Sequence, residues 1–193
     1  MAELMEATGL EKGGIYRHFS SKQELALAAF DYAWQSASET RTQDLASVPN
    51  SVDKLKRFIA NFVYRRPAVP GGCPILNTAI DADDGNLLLR ARTRNALRQW
   101  IDLLVTIVST GIADGEIRRD VQPEKLAVLI ISSLEGALML DRLEPNRKAL
   151  AGIRAHLYRY LDSEVRQSSA ARRVRRIRKD REQTQVSPES HFL

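Results

Sequence analysis

The chain has 193 residues, 44% hydrophobic and 27% charged, the balance of a soluble globular protein and not of a disordered or fibrous one. A single cysteine excludes an intramolecular disulfide and fits a reducing compartment. The net charge is +5, and no charged n-region followed by an apolar stretch opens the sequence as a secretory leader would.

Periodicity begins at once. A short helix is predicted from Ala2 to Ala7, running into Thr8-Gly9, where glycine permits a tight turn. A second short helix is predicted from about Glu11 to Phe19. Leu4, Met5, Leu10, Ile15 and Phe19 supply an apolar interior for the pair, while Lys12, Gly13, Gly14, Tyr16, Arg17 and His18 occupy the other face of the second helix. Two short helices joined by a glycine turn make a helix-turn-helix, whose second helix enters the DNA major groove. Donors on the outer face suit phosphates, and the glycines allow backbone to approach closely.

The run Gly9-Leu-Glu-Lys-Gly-Gly-Ile-Tyr-Arg-His-Phe-Ser-Ser-Lys-Gln-Glu-Leu25 resembles the recognition segment of the TetR/AcrR family of bacterial transcriptional regulators. That family shows Gly-Val-Ser-Lys-Gly-Thr-Leu-Tyr-x-His-Phe-x-x-Lys-x-x-Leu there. The resemblance implies that Tyr16, His18 and Lys22 hold phosphates and that Lys12, Gly13, Gly14 and Arg17 face the groove. Two positions depart from the pattern: Glu11 stands where the N-cap is usually Ser, and Gly14 stands where Thr or Ser is usual. The family's head also has a helix ahead of Ala2, so the helix-turn-helix is expected to be incomplete at its N-terminus, with a frayed head.

Ser21-Lys-Gln-Glu24 reads as a capping box opening a helix through Leu25, Phe30 and Trp34 to about Thr42. Pro49-Asn50-Ser51 then punctuates the chain, and Asp53 suits the first turn of the next helix. In that helix Leu55, Phe58, Ile59, Phe62 and Val63 recur at helical spacing, either as core or, at Phe58 and Phe62, as the lining of a ligand pocket. Pro67-Ala-Val-Pro-Gly-Gly-Cys-Pro74 breaks the pattern and leads into a short apolar helix, Ile75 to Ile80, then an acidic turn, Asp81 to Gly85. The Gly-Cys-Pro-x-x-Asn segment ending at Asn77 is similar to one branch of the family's regulatory domains. Cys73 reads as a small buried hydrophobe or, just before a helix N-terminus, as a redox sensor.

One long helix is expected from Asn86 to about Ile112, with Leu89, Leu97, Trp100, Ile101, Leu104, Val105 and Val108 as its apolar stripe. Arg90, Arg94, Arg98 and Asp102 share a face, either solvated or a subsite for an anionic inducer. Pro123 and Glu124 suit the first turn of the next helix. Leu126 to Leu140 is apolar on nearly every side but too short and polar to span a bilayer. After Pro145 a final amphipathic helix carries Leu150, Ile153, Leu157, Tyr160 and Leu161. These last two helices suggest a four-helix interface between two subunits, and Glu135 must be paired or sit at the rim of it.

From Arg166 to Leu193 there are 8 basic and 3 acidic residues, so this segment's +5 is the whole imbalance and residues 1–165 hold 21 of each sign. Residues 166–193, with a basic run from Arg172 to Arg181, are expected to be a disordered tail with some non-specific attraction to DNA. An enzyme is not expected. The three histidines, His18, His156 and His191, are far apart, and no nucleophile elbow, phosphate loop or Cys/His metal spacing occurs, so no cofactor or metal is expected either.

The expectation is an all-α chain in three parts: a DNA-binding head and connecting helix at 1–44, a regulatory ligand-binding and dimerisation domain at 45–165, and a basic tail at 166–193. Its function would be that of a cytoplasmic, ligand-responsive regulator, a repressor released from double-stranded operator DNA by a small molecule. Homodimerisation would use helices at about 123–142 and 146–164, with no membrane partner. Candidate ligand contacts are Phe58, Phe62, Cys73, Asn77, Trp100 and Leu104. The alternative is a dimerising ligand-binding module whose truncated head no longer binds DNA well.

Overall fold

The computed structural model describes residues 2–81, 86–144 and 148–168. Their helices run in the order α1 (Ala2–Thr8), α2 (Lys12–His18), α3 (Lys22–Thr42), α4 (Ser51–Tyr64), α5 (Pro74–Asp81), α6 (Leu87–Ala113), α7 (Pro123–Leu143) and α8 (Lys148–Tyr160), closed by a π-helical turn at Leu161–Val165. Among the described residues the only pairing of strand type is an isolated bridge between Ile117 and Arg166. The all-α expectation holds. The acidic turn at 82–85, the break at Pro145 and the tail beyond residue 168 lie outside the described residues.

Side-chain caps set where several helices begin. Ser21 Oγ accepts the Glu24 N–H at 3.1 Å, the first half of the expected capping box. The second half differs, because the Glu24 carboxylate takes the N–H of Ser20 at 2.7 Å, one residue before the cap. Asn50 Oδ1 accepts the N–H groups of Val52 and Asp53 at 3.1 and 3.2 Å and so opens α4. Asn86 Oδ1 does the same for Leu89 in α6 at 3.0 Å. α8 is capped from a distance: Asp141, in the last turn of α7, accepts from Ala149 and Leu150 at 3.0 and 3.3 Å. Each cap satisfies an N–H group that the helix itself leaves without a partner.

The chain divides into two compact units, one holding Met1–Arg41 and Arg65–Trp100, the other Thr42–Tyr64 and Ile101–Leu193. Residues 65–100 therefore pack with the head's helices, a grouping that the chain-order division at residue 44 does not contain.

In the first unit Phe30, Trp34 and Ala37 of α3 are buried, as are Cys73, Ile75, Ala96 and Trp100. The rings of Trp34 and Trp100 meet with centroids 4.9 Å apart, tilted by 55°, a geometry that adds to simple area burial. Arg41, buried at the end of α3, donates from Nη1 to the Arg65 carbonyl at 2.6 Å. Gln23 donates to Asn86 Oδ1 at 3.1 Å, and Arg92 pairs with Asp31 at 3.3 Å, so the N-terminal halves of α3 and α6 are tied side by side.

The second unit has the denser core. Val52, Leu55, Phe58 and Ile59 of α4, Leu104 and Val108 of α6, Ile130 and Leu134 of α7, and Leu157 of α8 are all fully buried. α7 packs on α8 and α4. Gly111 is required by closeness: a Cβ there would lie 2.7 Å from both Ile117 Cδ1 and Ser51 Cβ. The segment after α8 is stapled down by Arg166, which pairs with Asp53 and with Asp162, while Lys56 reaches Asp162 at 2.6 Å.

By length and composition the helix nearest to a bilayer span is α6, and not the Leu126–Leu140 stretch. Its Arg90, Arg92, Arg94, Arg98 and Asp102 are exposed, while Trp100, Leu104 and Val108 are core residues of their respective units. That is the division of a core helix, not of a span.

Candidate nucleic-acid interface and effector cleft

The turn between α1 and α2 is built locally. The Thr8 hydroxyl donates to Leu4 O at 2.6 Å and accepts the Leu10 N–H at 3.3 Å, and Gly9, at φ 66°, turns the chain with its N–H on Met5 O at 2.9 Å. α2 starts from Glu11, whose extended backbone carries no side-chain cap bond. The missing hydroxyl noted in the sequence is thus missing in the geometry too. Ile15 is the one buried residue of α2, and α1 has none: Leu4 and Leu10 are exposed, and Met5 and Phe19 half-buried.

The residues expected to meet DNA share one accessible helix and the start of the next. Lys12, Gly13, Tyr16, Arg17, His18 and Lys22 are exposed and Gly14 is half-buried. Ile15 is the one fully buried residue of their helix, and Lys12, Gly13, Tyr16, Arg17 and His18 are open to a partner. Lys22 opens α3 immediately after this element. Two residues on, the Ser20 hydroxyl and N–H hold the Glu24 carboxyl below the usual carboxylate range, so the cap stays ionised. Such an arrangement can lay cations and backbone N–H groups against a duplex, with phosphate contacts fixing register and base contacts reading sequence.

The same unit contains a cleft of about 350 Å³. One wall is a stripe of α3, Ala26, Ala29, Phe30 and Ala33. The opposite wall is the Pro67–Pro74 loop, through Pro67, Val69, Pro70, Gly71, Gly72 and Pro74. Asn77 and Thr78 of α5 and Leu89 of α6 complete it. The Asn77 carboxamide donates to Gly71 O at 2.8 Å, which fixes the loop against α5.

Of the six candidate ligand residues, Asn77 lines this cleft. Cys73 and Trp100 are buried in the first unit without lining it, and Phe58, Phe62 and Leu104 belong to the core of the second. None of Arg90, Arg94 and Arg98 lines the cleft either. Most of the other lining residues are alanines, glycines and prolines, which do not stand out at helical spacing. The readable trace was the alanine stripe of α3, spaced three and four apart.

Comparison with known proteins agrees with this architecture. The family profile of bacterial regulatory proteins, tetR family, matches residues 1–29, and that of the tetracyclin repressor-like C-terminal domain matches residues 51–157. A TetR transcriptional regulator from Chloroflexus aurantiacus has a similar structure, with TM-score 0.82 and 47% identity over 86% of this chain and 85% of that one. A TetR-family regulator from Cytophaga hutchinsonii gives TM-score 0.79 and 32% identity over 88% and 85%. The HTH-type transcriptional repressor DhaR of Mycobacterium sp. (strain GP1) is 27% identical over 150 residues, 77% of this chain and 74% of its own. These relatives are regulators and not enzymes. With its helix-turn-helix, its all-α body and a C-terminal profile that spans more than half of its length, the chain belongs to the TetR family of transcriptional regulators.

Proposed function

We propose that this regulator is a homodimeric repressor that leaves its operator when a small molecule occupies the cleft in its first unit. The observation that carries the reading is the double use of α3. Its first residue, Lys22, is the expected phosphate contact, and one turn later, about 6 Å along the axis, Ala26 begins the cleft wall. A molecule seated against Ala26, Ala29 and Ala33 therefore pushes on the helix that carries the DNA head. Ligand binding would favour a head position that mismatches successive major grooves, which a dimer must meet about 34 Å apart. The Mycobacterium relative is described as a repressor, which supports that direction of control.

Dimerisation is supported by α7. Leu129, Ser132, Gly136, Met139 and Leu143 are all exposed and spaced three, four, three and four residues apart, the seam of a left-handed helix pair. Val128 and Leu140 widen the same apolar face, and Glu135 is half-buried beside it. A second copy covering this seam, with α8 alongside, gives a four-helix interface close to residues 123–142 and 146–164. A regulator acting on operator DNA would work in the cytoplasm.

The experiment is selection of bound duplexes from a random pool, followed by light scattering of the free protein. A two-fold symmetric site bound by a dimer is expected. A stable monomer at micromolar concentration, or no sequence enriched over the pool, would contradict the reading.

A further inference from the structure

We propose that the cleft takes an uncharged, mainly apolar molecule of about two fused rings, held by one hydrogen bond to Thr78; this rests on the ligand-responsive reading above. None of the thirteen described residues that line the cleft carries an ionisable side chain. Three are prolines in the loop wall, which have no N–H to offer an anion. The α3 wall consists of alanines and Phe30, so a carboxylate or ammonium entering the cleft would exchange water for methyl groups and rings. The basic face of α6 does not compensate: Arg92 is engaged by Asp31, and Arg90, Arg94 and Arg98 are not among the lining residues.

Two side chains in the lining are polar. The Asn77 carboxamide is held by Gly71 O. The Thr78 hydroxyl, by contrast, makes no hydrogen bond to any described residue, which leaves a donor and acceptor in an otherwise apolar wall. A volume of about 350 Å³ stands at the small end of ligand pockets. At interior packing density it holds on the order of a dozen non-hydrogen atoms. The volume exists because α3 presents alanine at 26, 29 and 33, so enlarging one of them removes it.

The test is equilibrium dialysis of the full chain against 2-naphthylmethanol, 2-methylnaphthalene and 2-naphthoate at neutral pH, with operator release read separately by fluorescence anisotropy. The alcohol is expected to bind at least tenfold more tightly than the carboxylate. Ala33→Leu should abolish that binding. Thr78→Val should weaken the alcohol severalfold and leave 2-methylnaphthalene unchanged, a difference that general misfolding would not produce. Equal or tighter binding of 2-naphthoate would overturn the proposed ligand class, as would binding that ignores both substitutions or no binding of any probe up to its solubility. Binding of the alcohol with the operator undisturbed would support the ligand class and overturn the release mechanism instead.

Discussion

Gln23 Nε2 donates to Asn86 Oδ1 at 3.1 Å, and that same oxygen accepts the Leu89 N–H at 3.0 Å. One carboxamide oxygen thus caps α6 and ties it to the helix that follows the recognition element, with the cleft residue Leu89 one turn away. Asn86→Ala removes both interactions, whereas Gln23→Ala removes only the tie. Loss of a side-chain cap costs about 1 kcal/mol, roughly fivefold in local opening. Hydrogen exchange at Leu89 and Arg90 is expected to quicken by about that factor in Asn86→Ala and much less in Gln23→Ala. Equal acceleration in both variants would show that the tie, not the cap, holds this turn.

Gly13 and Gly14 have no structural reason within the free chain. Neither has a positive φ; a Cβ at 13 meets nothing within 4 Å, and one at 14 meets Leu10 Cβ at an ordinary 3.5 Å. Alanine at each position should stabilise α2 by about 0.5–1 kcal/mol. If these glycines face the groove, the double alanine variant gains helicity by circular dichroism and loses operator affinity at least tenfold. A variant that gains helicity and binds unchanged would remove both residues from the interface.

The two halves of the site were unequally legible in the sequence. The head was legible because its order of residue types, Tyr16, His18, Phe19, Lys22 and Leu25, lies within one local segment and does not depend on what packs opposite. The cap at Ser21 was legible for the same reason. The cleft was not. Phe58, Phe62, Trp100 and Leu104 drew attention because large apolar side chains at helical spacing are conspicuous; all four are buried, and none lines this cleft. A cleft forms where volume is missing, at Ala26, Ala29, Ala33, Gly71 and Gly72, and missing volume depends on what packs opposite. The Asp141 cap on α8 was hidden similarly, since the carboxylate belongs to one helix and the N–H groups to the next.

Asp141 is buried and serves two amides of α8 at 3.0 and 3.3 Å. Asp141→Ala leaves both without that acceptor and is expected to cost about 1–2 kcal/mol. Urea unfolding should show a lower midpoint with unchanged slope, and Asp141→Asn should recover part of the loss. No change in midpoint would mean that water replaces the carboxylate without cost.

The second unit should weaken in acid. The Lys56 ammonium, helped by Arg166, holds the Asp162 carboxyl below its ordinary value. A carboxyl lowered in the folded state contributes fully above its unfolded pKa, about 3.9, and the contribution is lost as pH falls through the folded value. Urea midpoints are therefore expected to fall from pH 5 downward, more steeply in wild type than in Asp162→Asn. Identical slopes for the two would show that other carboxylates dominate.

The central claim is that α2 and the start of α3 read DNA, with positioning and reading divided between named residues. The direct measurement is operator selection and salt-dependent titration for wild type, Lys22→Ala and Arg17→Ala. Lys22→Ala should lower affinity for all sequences alike and reduce the slope of log K against log salt by about one, with the consensus unchanged. Arg17→Ala should relax preference at a base pair by roughly 1–3 kcal/mol. A consensus altered by Lys22→Ala and untouched by Arg17→Ala would contradict the assignment.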